Sequence, residues 1–312
     1  MTEPARIVGY GSLTSAEGLG RDLAGVLDAR PLWLQARRAF AKPAQRSGCL
    51  AMDLALGAPV LEAGARAPDG EAPRCQGLVL TVAADAAPRL ARREGYPAGC
   101  WERLVAWARP RTLAEALLEL AEASGDLLAY RRELAARAGA YPLEQVHYLP
   151  HPVRVAGEAP AVVFVAPAPR RTGVPEAESI KADYPRLRPL GLEEVFRCAP
   201  EVYPPFAPDR QARYVELCLR AAAHGVWVGD LVRGPLDAAH PTAALLRRWR
   251  ARPTALEEER AALRQAVPAL RGGGYAERFV PDLEEALGRS GLWQGTADGP
   301  GEDRFVGGSL GS

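Results

Sequence analysis

Short apolar runs bounded by Gly, Pro and Arg crowd the first eighty residues, and helical periodicity dominates only from Thr112 onward. Strands that come first and helices that come later pack as an α+β fold, not as a doubly wound parallel sheet. Residues 6–13, Arg-Ile-Val-Gly-Tyr-Gly-Ser-Leu, predict a short strand running into a glycine turn. Leu19, Leu23, Val26 and Leu27 recur at helical spacing and predict a helix over 17–27. The runs Leu32–Phe40, Cys49–Leu56 and Gly77–Val82 are strand-sized and turn-bounded. Gly64–Pro73, polar and rich in Pro and Gly, predicts an exposed hairpin loop.

Thr112-Leu-Ala-Glu115 has the form of a capping box ahead of a helix carrying Leu113, Leu117, Leu120 and Ala121. A second helix is predicted over 126–138, then strands at Val153–Val155 and Ala161–Val165, and a loop over Pro167–Pro175. Helices are expected at 191–197 and 209–223. A helical hairpin should follow over 237–288, interrupted at Pro253–Thr254 and Gly272–Gly274, and the glycine-rich end should fray.

Charge and cysteine usage exclude several classes. Lys plus Arg number 39 and Asp plus Glu 38, a formal net charge of +1. That balance lacks the basic excess of a dedicated nucleic-acid binder. No run of eighteen apolar residues offers a membrane-spanning helix. Met1-Thr2-Glu3-Pro4-Ala5-Arg6 does not read as a signal peptide. The five cysteines, 49, 75, 100, 198 and 218, are scattered and never form a C-x-x-C pair. They read as reduced thiols, so the expectation is a soluble cytoplasmic protein.

Two segments carry candidate chemistry. Gly9-Tyr10-Gly11-Ser12-Leu13 closes the first strand, but Thr14 stands where a dinucleotide turn needs its third glycine. What remains is a backbone that brings bare N–H groups close to a ligand ahead of a helix N-terminus, which suits a carboxylate or an oxyanion. The plainer reading is a tight strand-to-helix turn. The second segment is Leu90-Ala-Arg-Arg-Glu94-Gly-Tyr-Pro97. Its helix is predicted to start at Asp85 as N-cap and to end at Gly95, leaving Glu94 in the last turn. There the macrodipole disfavours a carboxylate by about 0.5 kcal/mol and raises its pKa, which proton transfer near neutrality requires. The plainer reading is a solvated Glu94 paired with Arg92 or Arg93.

Taken together, Tyr-Gly-Ser-Leu after the first strand and Arg-Arg-Glu-Gly-Tyr-Pro some eighty residues on resemble the γ-glutamylcyclotransferase-like superfamily. Trp33–Phe40, ending in Arg38-Ala39-Phe40, is similar to that family's second strand. Gln76–Val82 is similar to the strand before its catalytic helix. Tyr214, opening Tyr-Val-Glu-Leu-Cys-Leu-Arg, is similar to its tyrosine-led C-terminal helix.

The resemblance covers about residues 6–228 and implies a mixed β-barrel or sheet flanked by helices. It implies that Tyr10, Gly11, Ser12 and Leu13 hold a γ-glutamyl head, that Glu94 is the general acid/base, and that Tyr214 is a pocket residue. It further expects Trp101–Val105 to form the aromatic-x-Arg strand that follows Glu-Gly-Tyr-Pro. Two additions depart from the family: a helical insertion over about 110–140 and a helical extension over 229–292, before a flexible 293–312. The insertion is expected to pack beside the pocket mouth.

The reaction so implied is release of 5-oxoproline and an amine from a γ-glutamyl amide or peptide, with no metal or cofactor. Alternatives are cleavage or transfer of a γ-glutamyl acyl-amide in natural-product assembly, or a non-catalytic small-molecule binding domain. The expected partner is therefore a small γ-glutamyl molecule, with no nucleic acid and no membrane. Other candidates are weaker. His147 and His151 flank Tyr-Leu-Pro, where Pro150 opposes helical alignment of two imidazoles on a metal. His224 reads as a helix-end dipole partner and His240 as a turn residue. Cys100 lacks a His partner that would activate a thiolate. The tryptophans read as packing, with Trp101 a possible lining residue.

Overall fold

The computed structural model describes residues 3–44, 48–65, 73–139, 148–166, 189–220, 226–251, 253–267 and 283–291. Most of the predicted Gly64–Pro73 loop, the Pro167–Pro175 loop, the Gly272–Gly274 break, the tail, His147 and His224 lie outside the described residues.

Six strands close into a barrel flanked by helices, so the fold is α+β. They are β1 (Ala5–Gly9), β2 (Val26–Leu34), β5 (Leu61–Gly64), β6 (Cys75–Val82), β7 (Leu149–Val155) and β8 (Ala161–Val165). Around the barrel the order is β1-β6-β2-β5-β7-β8, and β1 closes it by pairing parallel with β8. The remaining strands, β3 (Arg37–Ala44) and β4 (Cys49–Ala55), form a separate antiparallel hairpin. Period-two alternation sorts the barrel side chains into two cores. Val8, Leu34, Val79, Val153 and Val163 pack with the hairpin and the C-terminal helices. Ile7, Leu78, Leu80, Val162 and Phe164 pack against the helices between residues 87 and 138.

Several elements differ from the sequence expectation. The helix predicted over 17–27 shrinks to α1 (Ala16–Leu19) and a 3-10 stretch over Gly20–Gly25. Gly20, at φ 54°, ends α1, and β-branched Val26 instead opens β2 opposite Val82. The Leu32–Phe40 run is two strands broken at residues 35–36, and the four-residue β5 was too short to show a pattern. The predicted Trp101–Val105 strand is a helix, α3 (Ala98–Ala108). Cys100, Trp101, Leu104 and Ala108 are buried along it at helical spacing, which overrides the strand expected from the resemblance.

The insertion forms α4 (Leu113–Ser124) and α5 (Leu127–Ala138). Thr112 and Glu115 make the predicted capping box, and Asp126 caps α5 through the Leu128 and Ala129 amides. The Tyr130 hydroxyl donates to the Pro150 carbonyl at 2.7 Å and fastens α5 to β7. His151, wholly buried there, is held near pKa 3 by burial and by Arg131, with Pro59 opposing weakly, so it stays neutral.

Toward the C-terminus come α6 (Leu192–Val202), α7 (Pro208–Leu219), α8 (Pro241–Ala251), α9 (Pro253–Ala266) and a short helix over 283–289. The interruption expected at Pro253–Thr254 falls between α8 and α9, where Pro253 opens the second helix, as suits a residue with no N–H to donate. Among its described residues the extension beyond residue 228 has no core of its own. Leu231, Val232, Leu246, Trp249 and Leu287 join the barrel's first core. Its anchor is a buried ion pair: Arg38 in β3, its side chain 1% exposed, bonds both carboxylate oxygens of Asp230. The same guanidinium donates to the carbonyls of Trp227 and Tyr10, and the Trp227 amide donates to Gln76 Oε1 in β6.

Removing one partner of such a pair strands a buried charge. Asp230→Ala is therefore expected to lower unfolding stability by about 3–5 kcal/mol. Chemical denaturation measures this, and an unchanged midpoint would show that water or a neighbour replaces the carboxylate.

Candidate active site

The loop after β1 is built for close approach. Gly11 precedes a single 3-10 turn, Ser12–Thr14, whose first amides have no partner within it. Thr14 returns its amide (3.0 Å) and its hydroxyl (2.5 Å) to the Gly11 carbonyl, which fixes the turn. Gly18 packs against its far side so tightly that a Cβ there would lie 1.6 Å from the Ser12 oxygen. Gly11 itself has φ −125°, so it is not a left-handed residue. Its requirement is space, because a Cβ would come within 3.3 Å of the Tyr214 hydroxyl and 3.5 Å of Met52 Cβ.

Glu94 sits at the C-cap of α2 (Ala87–Arg93). The helix begins with Ala86 rather than Asp85 as its cap, and Pro88 takes a first-turn position where no N–H is needed. Its end is a Schellman motif. The Gly95 amide returns to Arg92 and the Tyr96 amide to Ala91, with Gly95 at φ 82°. This corner sets where the Glu94 side chain departs. Arg93 turns away from it to bind the carbonyls of Gly18 and Leu19, with Asp22 at 3.6 Å. Among the described residues Glu94 has no ion pair with Arg92 or Arg93, so the pairing expected in the plainer reading is not met, and its side chain stands half-buried at the cavity wall.

The opposite wall comes from the β3–β4 hairpin and α7. Gln211 and Tyr214, one turn apart on α7, engage alternate residues of β4. Gln211 exchanges two hydrogen bonds with Leu50 (2.7 and 3.0 Å), and the Tyr214 hydroxyl accepts from the Met52 amide at 3.0 Å. A phenol that accepts there keeps its proton for another acceptor. Tyr10 turns its own hydroxyl to the Phe164 carbonyl at 2.7 Å and to Asp53 at 3.3 Å.

One cavity of about 160 Å³ gathers these pieces: Tyr10, Gly11, Ser12, Leu13, Glu94 and Tyr214 all line it. Thus all the residues that the resemblance assigned to the site line one cavity. Lys42, Met52, Arg93, Tyr148 and Phe164 complete the wall and were not anticipated. Lys42 lies in the strand after Arg38-Ala39-Phe40, and its ammonium stands 3.5 Å above the Tyr148 ring. Trp101 does not line the cavity, but is buried against the back of Phe164 at 5.8 Å. No described residue of the insertion lines the cavity, so the expectation that it borders the mouth is not met among them. The extension supports the loop from behind, where Glu259 of α9 accepts from the Ala16 amide at 3.0 Å.

Burial raises the pKa of Glu94, Arg93 and Lys42 oppose that rise, and Asp22 adds to it. Desolvation, not the helix dipole invoked from sequence, is thus the main cause. Burial likewise holds Tyr10, Tyr148 and Tyr214 well above the usual phenol range, so all three remain protonated donors. Among the described residues no group of His, Cys, Asp and Glu is placed to hold a metal ion. A wider groove of about 600 Å³ runs between α7 and α8. Its charges answer one another through Arg220–Glu17 and Arg248–Glu216, which leaves the smaller cavity as the candidate site. Compared with protein-family models, curated proteins and solved structures, the chain finds no match in any of the three.

A carboxyl with a higher pKa folded than unfolded costs stability while ionised. The cost is full above the folded pKa and vanishes below the unfolded value near 4.5. Glu94→Gln should therefore raise Tm at neutral pH, by an amount that shrinks as pH falls toward 4.5. Parallel thermal melts across that range test it, and a lower Tm for the variant at neutral pH would contradict the assignment of Glu94 to a desolvated site.

Proposed function

We propose that this protein is a γ-glutamylcyclotransferase-like enzyme that releases 5-oxoproline and an amine from a γ-glutamyl amide or peptide. The observation that carries this reading is the single cavity into which a bare-amide loop, a desolvated carboxyl and protonated tyrosines converge. At about 160 Å³ it is well below the roughly 300–1,000 Å³ of sites that enclose drug-sized ligands. It therefore suits an amino-acid-sized head with the leaving amine projecting outward.

The chemistry follows from the substrate's own geometry. The α-amine attacks the γ-carbonyl carbon, the five-membered lactam closes, and the bond to the leaving nitrogen breaks. Because both reacting groups belong to one molecule, cyclisation has a high effective molarity. On the way to the lactam N–H the α-ammonium loses two protons, and the leaving nitrogen gains two to depart as an ammonium. Glu94 takes the first from the α-ammonium and hands it to the leaving nitrogen, then relays the second from the ring nitrogen to the released amine, so the carboxylate is regenerated and no water is consumed. A raised pKa narrows the gap between carboxyl and ammonium, which makes that transfer easier. The Ser12 and Leu13 amides face the developing oxyanion, and the Lys42 ammonium complements the substrate α-carboxylate.

Glu94→Gln preserves shape but cannot carry the proton. Turnover is expected to fall about 10²–10⁴-fold with substrate binding nearly unchanged. Assaying 5-oxoproline release across γ-glutamyl amines and peptides, with calorimetric binding on the same preparation, checks both halves. Near wild-type release would remove Glu94 from the mechanism. Free glutamate in place of 5-oxoproline would turn the reading toward acyl-amide hydrolysis.

Gly11→Val should abolish binding while the fold survives, since its φ suits any residue and the added atoms enter the cavity. An unchanged affinity beside a normal melting curve would place the substrate elsewhere.

A further inference from the structure

On the side of Arg38 away from the Tyr10 loop lies a second cavity of about 320 Å³, where five arginines meet. One of them, Arg38, is neutralised by Asp230. The other four, Arg37, Arg74, Arg233 and Arg289, come from separate parts of the chain: the start of β3, the start of β6, the segment after Asp230 and the 283–289 helix. Among the described residues neither Arg37 nor Arg233 has a carboxylate within ion-pair distance. Arg233 donates only to the Arg38 carbonyl at 2.8 Å, which orients its fork without cancelling its charge. Arg289 pairs with Glu285 through one nitrogen at 3.3 Å, while its Nε and other terminal nitrogen are buried with no acceptor. Trp227 is the platform: the Arg74 and Arg289 guanidiniums stand 5.6 and 5.9 Å from its ring centre.

Like charges repel, and burying donors without acceptors destabilises a fold. A chain whose net charge is only +1 nevertheless gathers five arginines on one concave surface whose lining holds one carboxylate, Asp230, already engaged by Arg38. A multiply charged anion resolves both costs at once, because planar guanidinium forks match phosphate oxygens in paired hydrogen bonds. We propose that this cavity binds a small phosphorylated molecule through Arg37, Arg233 and Arg289, at a place separate from the Glu94 cavity. Its size favours a di- or polyphosphate group over a nucleic-acid strand, which needs a groove that tracks the backbone.

Titration calorimetry of the full chain with inorganic pyrophosphate, at fixed ionic strength, tests the proposal. The expected result is saturable one-to-one binding, tighter than that of sulfate. Arg233→Gln and Arg37→Gln, both at exposed positions, should each weaken it about tenfold, as losing a charge-assisted pair of hydrogen bonds predicts. Arg109→Gln, exposed and outside the cavity, should leave it unchanged. Melting curves confirm that each variant is folded. Absence of saturable binding would overturn the proposal, and so would pyrophosphate affinity unaltered by the Arg37 and Arg233 changes. Preferential capture of a single-stranded oligonucleotide, in competition with pyrophosphate, would also overturn it.

Discussion

The Arg38 guanidinium is the point at which the barrel, the loop after β1 and the C-terminal extension are joined. Burial works against its charge, yet Asp230 outweighs that and holds its pKa above the ordinary value. A buried pair of this kind adds little net stability over apolar packing, but it is intolerant of rearrangement. Two further donors are directed at backbone carbonyls, one at Tyr10 and one at Trp227. The position of the Tyr10 loop therefore depends, through Arg38, on a residue 192 positions beyond that arginine. This also explains why residues after 228 cannot be treated as an appendage, since they complete the electrostatics of β3 and fill the first core.

Within the cavity, two opposite demands are met by adjacent residues. Arg93 is drawn off by the carbonyls that end α1, while Glu94, the next residue, is left to burial. The Schellman turn at Gly95 separates them, because it stops the helix between one side chain facing α1 and one facing the cavity. Had the helix run one turn further, Glu94 would have gained helical neighbours and Tyr96 would have lost its return bond to Ala91.

Much of this was legible in the sequence, and the parts that were not share a cause. Thr112 with Glu115 announced its helix because capping is local chemistry. Tyr10–Leu13, Glu94 and Tyr214 were identified from short motifs, and they do share one cavity. Lys42, Tyr148 and Phe164 could not be found that way, since each is an unremarkable strand or pre-strand residue brought in by the packing of the hairpin and the barrel around one cavity. Trp101–Val105 was misassigned because the expected family strand was weighed above the helical spacing of Cys100, Trp101, Leu104 and Ala108. The cause of the raised Glu94 pKa was also misread. A helix terminus is visible in sequence, whereas burial inside a cavity assembled from distant segments is not.

The β3–β4 hairpin stands outside the closed barrel, so it alone would present strand edges able to template another chain. Both edges are capped from within. Leu190 exchanges two hydrogen bonds with Phe40 on the β3 side, and on the β4 side Gln211 takes both backbone groups of Leu50 while Tyr214 takes the Met52 amide. An amide side chain thus serves as a one-residue counterfeit of a neighbouring strand. The helix that brings a phenol into the cavity also keeps the molecule from recruiting a second copy by sheet extension, so the pocket residues and the safeguard against aggregation are inherited together on a single turn of α7.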